Sequence, residues 1–406
     1  MPTRLPALLA ILLLAPAAAL AQATRPAAGP MVLDPVTLKA PKTYPAEGFK
    51  ADGVTAVFLE AMPYKGKPTR AFAWYGVPKV EPGKKVPAMV LVHGGGGTAF
   101  ANWVKVWVDR GYAAIAVDTC GQVPKGTYGK WERHEHSGPA GWGGLSAADV
   151  DLPPTDQWTY HAISDVALSH SLLASFPEVD ADRIGVTGVS WGGYLTCISA
   201  GVDRRYKLAV PVYGCGFLGD NSTWLGSFEK MGKDHAARWL AMWDPSQYLP
   251  KAMAPTLWVT GTNDFAYPMD SLRKSYRQPM VPPTLCVTIR MKHGHGPVSE
   301  QVPEIFTFVD AILKGGAPLA TVGEVTLRRN TLTAVWVAKV PVKKAEIAYT
   351  TDVGPWQKRE WKTAPATVDA KGDRAIGNVP MDAKVCYMNL IDERGLTVST
   401  EHIELP

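Results

Sequence analysis

The tightest constraint in this chain is Gly188-Val189-Ser190-Trp191-Gly192, a G-x-S-x-G pentapeptide. An apolar run, Ile184-Gly185-Val186, precedes it, and Tyr194-Leu195-Thr196-Cys197-Ile198 follows with helical character. A strand that turns sharply into a helix leaves no room for side chains two residues either side of the turn. Glycine satisfies both positions here. The turn strains the serine backbone and lifts its hydroxyl above the sheet, where the N–H groups of the new helix point toward it. Strand, tight turn and helix together predict an exposed nucleophilic Ser190.

The chain has 406 residues, 46% of them apolar and 19% charged, enough for two domains. The net charge is +5, with Lys and Arg scattered. No basic stripe of the nucleic-acid-binding kind is present, so no nucleic-acid partner is expected. Residues 1–21 combine Arg4, an apolar core at 8–14 that is too short to span a bilayer, and Ala19-Leu20-Ala21. This is the pattern of a cleaved signal peptide. The expectation is export to a periplasm or the exterior, with no later membrane span. Of the five cysteines, most are read as buried thiols; Cys120 with Cys215 is one pair that export would permit.

Four segments are expected: a signal peptide at 1–21, an extended leader at 22–50, a catalytic domain at 51–318 and a β-sandwich at 319–406. Residues 54–60 and 69–75 read as an antiparallel hairpin. Apolar strands at 86–92, 113–117, 183–189, 208–213, 256–260 and 285–290 alternate with helices at 99–110, 156–176, 271–277 and 304–313. This alternation implies a mostly parallel sheet with helices on both faces, an α/β class. Residues 121–155 interrupt it with a long loop rich in Gly, Pro, Trp and His, of a length that is usually functional. After about residue 320 short strands follow one another without helices, as in an all-β sandwich. There Trp356 and Trp361 are either sugar-stacking or core residues.

The chemically capable residues fall at the C-terminal ends of the predicted parallel strands, where open α/β sheets place their sites. Ser190 needs a base to take its proton. His295 is the expected base because glycines flank it on both sides in His293-Gly294-His295-Gly296. His293 is the competing candidate and otherwise lines the site. Asp264, in Gly261-Thr262-Asn263-Asp264, is expected to orient the imidazole. The run His93-Gly94-Gly95-Gly96-Gly97 follows the first buried strand. Backbone N–H groups of Gly95, Gly96 and Trp191 are the expected oxyanion donors, each contributing about 3 kcal/mol. No Lys-Ser/Thr follows the glycines, which disfavours a phosphate loop. His93, His136 and Trp142 are further candidates for lining the substrate site, and Trp158, Tyr160, Trp224 and Trp239 either line a pocket or pack in the core. His134 and His136 have no third ligand close in sequence, so no metal is expected, and no cofactor.

With these residues in place, the chain resembles the α/β-hydrolase superfamily over about residues 50–316. It is most similar to exported acetyl xylan esterases, cephalosporin-C deacetylases and dienelactone hydrolases. The resemblance rests on Val92-His93-Gly94-Gly95-Gly96-Gly97, on residues 180–193 around the serine, on Gly261-Thr262-Asn263-Asp264 and on His293-Gly294-His295-Gly296. Prolyl-oligopeptidase catalytic domains share several of these features. The resemblance implies a secreted serine ester hydrolase acting on a small-molecule or polysaccharide ester, such as an acetylated carbohydrate, through an acyl-enzyme. A prolyl-oligopeptidase-type peptidase is one alternative, although only about 70 mature residues precede His93, too few for a propeller. A non-catalytic binding protein on the same scaffold is the other.

Overall fold

The computed structural model describes residues 31–141, 145–369 and 371–406. The expected signal peptide lies outside the described residues.

The first half of the chain begins with β1 (Thr43–Pro45), β2 (Thr55–Tyr64) and β3 (Lys67–Gly76). The strands β4 (Val86–Val92) and β5 (Ala113–Val117) follow, then a small hairpin of β6 (Gln122–Thr127) and β7 (Lys130–Arg133). Next come β8 (Val179–Val189), β9 (Ala209–Val212), β10 (Leu257–Gly261) and β11 (Thr284–Thr288). Nine of these form one sheet in the order β1-β2-β3-β5-β4-β8-β9-β10-β11. The first three strands are antiparallel, and β5 through β11 run parallel. In the middle of the sheet Val90 lies between Ile115 and Val186. β4, β5 and β9 are apolar along almost their whole length and buried on both faces, as parallel strands covered by helices must be.

The helix Trp158–Ser175 carries so little polar surface that only its last two residues escape burial. The described part of the expected leader, residues 31–50, joins the fold and includes a 3-10 turn at Pro35–Leu38. Its β1 pairs with the edge of β2, and Met31, Thr37 and Ala46 are buried. The 121–155 segment, read as one long loop, contains the β6–β7 hairpin and a short helix, Ala147–Val150.

The C-terminal part holds β12 (Thr321–Arg328), β13 (Thr331–Val337), β14 (Val342–Thr350), β15 (Lys362–Asp369), β16 (Arg374–Asn378), β17 (Val385–Asp392), β18 (Thr397–Ser399) and β19 (Ile403–Glu404). These form a single sheet in the order β12-β13-β16-β15-β14-β17-β18, with β19 also on β17. The sheet curls until its two ends, β12 and β18, approach each other. It encloses its own core around Leu332, Trp336, Ile347 and Met388.

This all-β unit packs against the last strand of the main sheet. The Val287 N–H donates to Ser399 Oγ at 2.9 Å, and Tyr387 OH donates to the Val287 carbonyl at 3.3 Å. An exposed β11 edge would present unpaired backbone groups; side chains of the C-terminal unit satisfy those of Val287. Met269, Val287, Trp356, Trp361 and Tyr387 form an apolar cluster across the seam. Trp356 and Trp361 are each 5% exposed, so they are packing residues and not a sugar platform. Burying a large apolar side chain contributes on the order of 2–3 kcal/mol, which makes the seam a fixed joint. All five cysteines are buried free thiols, so Cys120 and Cys215 are not joined.

Candidate active site

Ser190 sits between β8 and the helix Trp191–Val202 with φ 60° and ψ −117°. This left-handed region is costly for a residue with a Cβ. Its N–H donates to the Val212 carbonyl at 2.8 Å, and its carbonyl accepts from Tyr194 N–H at 2.9 Å. A Cβ on Gly192 would collide with the Val92 carbonyl, and one on Gly188 with the backbone of Gly192. The small-residue requirement inferred from the pentapeptide is therefore a steric fact of this turn.

The histidine beside Ser190 is His293, and the expectation of His295 is corrected. His293 Nε2 lies 2.8 Å from Ser190 Oγ, and its Nδ1 lies 2.6 Å from Asp264 Oδ2. Asp264, 2% exposed, also accepts the N–H groups of Ala266 and Tyr267 on Oδ1 at 2.9 and 2.8 Å. These bonds hold the carboxylate acceptor-only, so the Asp264 contact places the proton of a neutral His293 on Nδ1 and leaves the Nε2 lone pair for the serine proton. The His293 ring stacks on Tyr213 with centroids 4.5 Å apart and planes at 24°. Tyr213 OH donates to the Lys292 carbonyl at 2.6 Å. Burial pushes that phenol's pKa well up, so it stays protonated and keeps donating. Tyr213 is a positioning residue that the sequence reading missed; its only sequence signal was its place at the end of a buried strand.

His295 turns the other way. Its Nε2 accepts the Gly94 N–H at 2.8 Å, and its Nδ1 lies 2.8 Å from Glu300 Oε1. The amide can only donate, so Nδ1 carries the proton and donates to Glu300. Phe100 and Trp103 flank the ring.

The glycine run is clasped from its other side by the β6–β7 hairpin. Tyr128 OH donates to the Gly95 carbonyl at 2.7 Å, and Trp131 Nε1 and Gly129 N each donate to the Gly96 carbonyl at 2.8 Å. Among the described residues nothing accepts a hydrogen bond from the Gly95 or Gly96 N–H groups. Both expected donors therefore remain available. The run passes so close to the serine turn that a Cβ on Gly94 would strike the Val189 carbonyl.

Of the residues expected to line the site, His93 does not. It is 1% exposed; its Nε2 accepts from Thr119 N–H at 3.0 Å and its Nδ1 donates to the Gly94 carbonyl at 2.9 Å. It is a bracket under the glycine run. His136 pairs with neighbouring Glu135 at 3.2 Å, and no contact joins it to Ser190, His293 or Asp264. Trp142 lies outside the described residues. Trp158 and Trp224 pack on the Trp191 ring, at 5.7 and 4.6 Å, whereas Trp239 and Tyr160 are buried. No group of three His, Cys, Asp or Glu residues suited to a metal occurs among the described residues.

Asn263, next to Asp264, is a second residue the sequence reading undervalued. Its Nδ2 donates to the carbonyls of Arg359, Gln357 and Trp356 at 2.7, 3.3 and 3.4 Å. The C-terminal unit thereby grips the loop that carries the carboxylate.

Residues 44–230 match the acetyl xylan esterase (AXE1) family. That span includes the glycine run and Ser190 and ends before Asp264 and His293. Over 174 residues the chain is 30% identical to the alpha/beta hydrolase psoB of Aspergillus fumigatus, a match covering 40% of this chain and 33% of that protein. It is 27% identical over 128 residues to an uncharacterized peptidase, YuxL, of Bacillus subtilis, covering 30% of this chain and 16% of that one. The chain thus spans a third or less of these relatives. Among solved structures, an acetyl xylan esterase from Paenibacillus sp. R4 superposes with a TM-score of 0.55 at 23% identity, over 67% of this chain and 88% of that one. Acetyl Xylan Esterase 1 from Thermoanaerobacterium sp. JW/SL YS485 gives 0.50 at 20% identity, over 64% and 87%. At these identities the likeness is one of fold.

Proposed function

We propose, from the premise that this chain is a member of the α/β-hydrolase superfamily, that it is a serine ester hydrolase removing acetyl or similarly small acyl groups from a carbohydrate or related alcohol. The observation that carries this reading is the unbroken relay Ser190–His293–Asp264 beside a glycine run with unused N–H donors. The match of residues 44–230 to acetyl xylan esterases supports the acyl group.

In the proposed reaction Ser190 Oγ attacks the ester carbonyl while His293 Nε2 takes its proton. The Nδ1–H bond to Asp264 holds the ring in the required tautomer and stabilises its cation. Negative charge on the carbonyl oxygen is met by the N–H groups of Gly95, Gly96 and Trp191. Collapse expels the alcohol, which receives its proton from His293 and leaves an acetyl ester on Ser190. Water, deprotonated by the same histidine, then releases acetate. Residues 1–21 support a site of action outside the cytoplasm.

The test is acetate release from acetylated glycans and short p-nitrophenyl esters, with Ser190→Ala as control. Release by the parent protein and none by a folded Ser190→Ala variant is the expected result. Unchanged release by that variant overturns the assignment.

A further inference from the structure

A cleft of about 400 Å³ opens between the loop that carries His293 and the C-terminal segment 357–360, with Asp264 and His293 in its wall. Four cationic residues line it: Arg290 and Lys292 from the hydrolase loop, Lys358 and Arg359 from the all-β unit. Arg290, Lys292 and Lys358 are exposed. None of the four makes an ion pair among the described residues. Arg359 is held in place: its Nε donates to the Gly354 carbonyl at 2.8 Å, and its guanidinium lies 3.8 Å from the Trp356 ring centroid. Two carboxylates share the wall. Asp264 is committed to His293, which leaves Glu360 as the other carboxylate of the wall; Asp270, Asp352 and Glu404 also act on Arg359 from outside it.

The direction of the chemistry says what enters this cleft. In acyl transfer the histidine returns its proton to the leaving oxygen, so the alcohol portion of an ester lies against the imidazole. His293 is that imidazole, and the cleft begins at its edge. Phe265, 55% exposed with its ring 4.6 Å from His293, adds an apolar face there.

We propose that this cleft selects esters whose alcohol portion carries a carboxylate, such as an acetylated acidic saccharide, with Arg290, Lys292, Lys358 and Arg359 as its anion-binding wall. The proposal rests on the esterase reading for its substrate but not for its anion site. It gives the C-terminal unit a part in specificity, because half of the cationic groups come from it.

The test compares 4-acetoxybenzoate with its methyl ester, which share the acyl group and the ring and differ in charge. The full chain, Lys358→Glu and Arg290→Asn are assayed at low salt and at about 0.5 M NaCl, where screening is strong. Asn is chosen because Arg290 has φ 54°, which asparagine tolerates. Each substitution is expected to lower kcat/KM for the acid about fivefold while leaving the methyl ester within twofold. High salt is expected to remove the difference. Equal effects on both esters, or none on either, overturn the proposal. If the parent protein cleaves neither ester, the esterase reading fails, and binding of 4-hydroxybenzoate to Ser190→Ala decides the cleft. Salt-sensitive binding that Lys358→Glu weakens supports the anion site, and absence of binding overturns it.

Discussion

Gly94 donates its backbone N–H to His295 Nε2 at 2.8 Å, and through that bond the loop after β11 fixes the glycine run after β4. Glu300, on the far side of the same imidazole, sets the tautomer that can accept it. Two histidines separated by one glycine thus serve opposite walls of one site: His293 faces the serine, and His295 braces the proposed oxyanion loop.

This division predicts different kinetic losses. His293→Ala is expected to lower kcat by about 10⁴-fold or more, as removal of a triad base does. His295→Ala leaves the relay intact and loosens the loop. It is expected to lower kcat by about 10–100-fold, a fraction of one oxyanion donor's contribution, with KM little changed. His295→Gln, which retains an acceptor for Gly94 N–H, is expected to recover part of that loss. Steady-state kinetics on p-nitrophenyl acetate separate these outcomes, and equal losses in the two alanine variants would sink the division.

Asn263→Ala removes the donor shared by the carbonyls of Trp356, Gln357 and Arg359. These bonds are part-buried and the Trp356 carbonyl still accepts the Arg359 N–H, so the loss is about 1 kcal/mol. Thermal unfolding is expected to shift down by several degrees, and kcat to fall because Asp264 is the next residue. An unchanged Tm and an unchanged kcat would show that the grip has no consequence.

Gly192→Ala places a methyl group against the Val92 carbonyl. Backbone cannot yield as a flexible side chain does, so the helix Trp191–Val202 must move away from the end of β4. The expected result is loss of soluble folded protein, read by circular dichroism. A folded, active Gly192→Ala protein would contradict the described turn.

Burial holds His170 at about 4, below its ordinary 6.5. The folded state keeps this imidazole neutral while the unfolded chain protonates it near 6.5. Its share of stability is complete above that value and is lost as pH falls toward about 4. Buried Asp165 is shifted the opposite way, so the readout is a difference. The Tm of the parent protein is expected to decline relative to His170→Phe between pH 6.5 and 4; a constant difference would refute the sign.

Because all five thiols are buried and unpaired, dithiothreitol is expected to leave Tm unchanged. A reducible drop in Tm would reveal a cross-link.

Much of this architecture is legible in one dimension. Apolar runs such as 86–92 and 113–117 read as doubly covered parallel strands, and the switch after residue 320 to strands without helices marks the second unit. β15 and β19 carry no strand signal of their own. β15 opens on Lys362 and contains Pro365, and β19 is two residues long. Trp356 and Trp361 were ambiguous because an aromatic side chain stacks on a sugar or on a neighbouring domain with the same chemistry; only the position of the seam distinguishes them.

The sequence alone determined that Ser190 stands on a strained turn, because G-x-S-x-G between strand and helix has one steric solution. It also determined that an acid and a histidine follow at later strand ends. Tertiary structure decided which histidine. The glycines around His295 supply freedom, whereas placement comes from partners outside the motif: Tyr213 stacking under His293 with Asp264 behind it, Gly94 bound to His295 from far along the chain, and Glu300, five residues on, holding its other nitrogen. Those partners come from four separate segments, and no local pattern within His-Gly-His-Gly encodes where they meet.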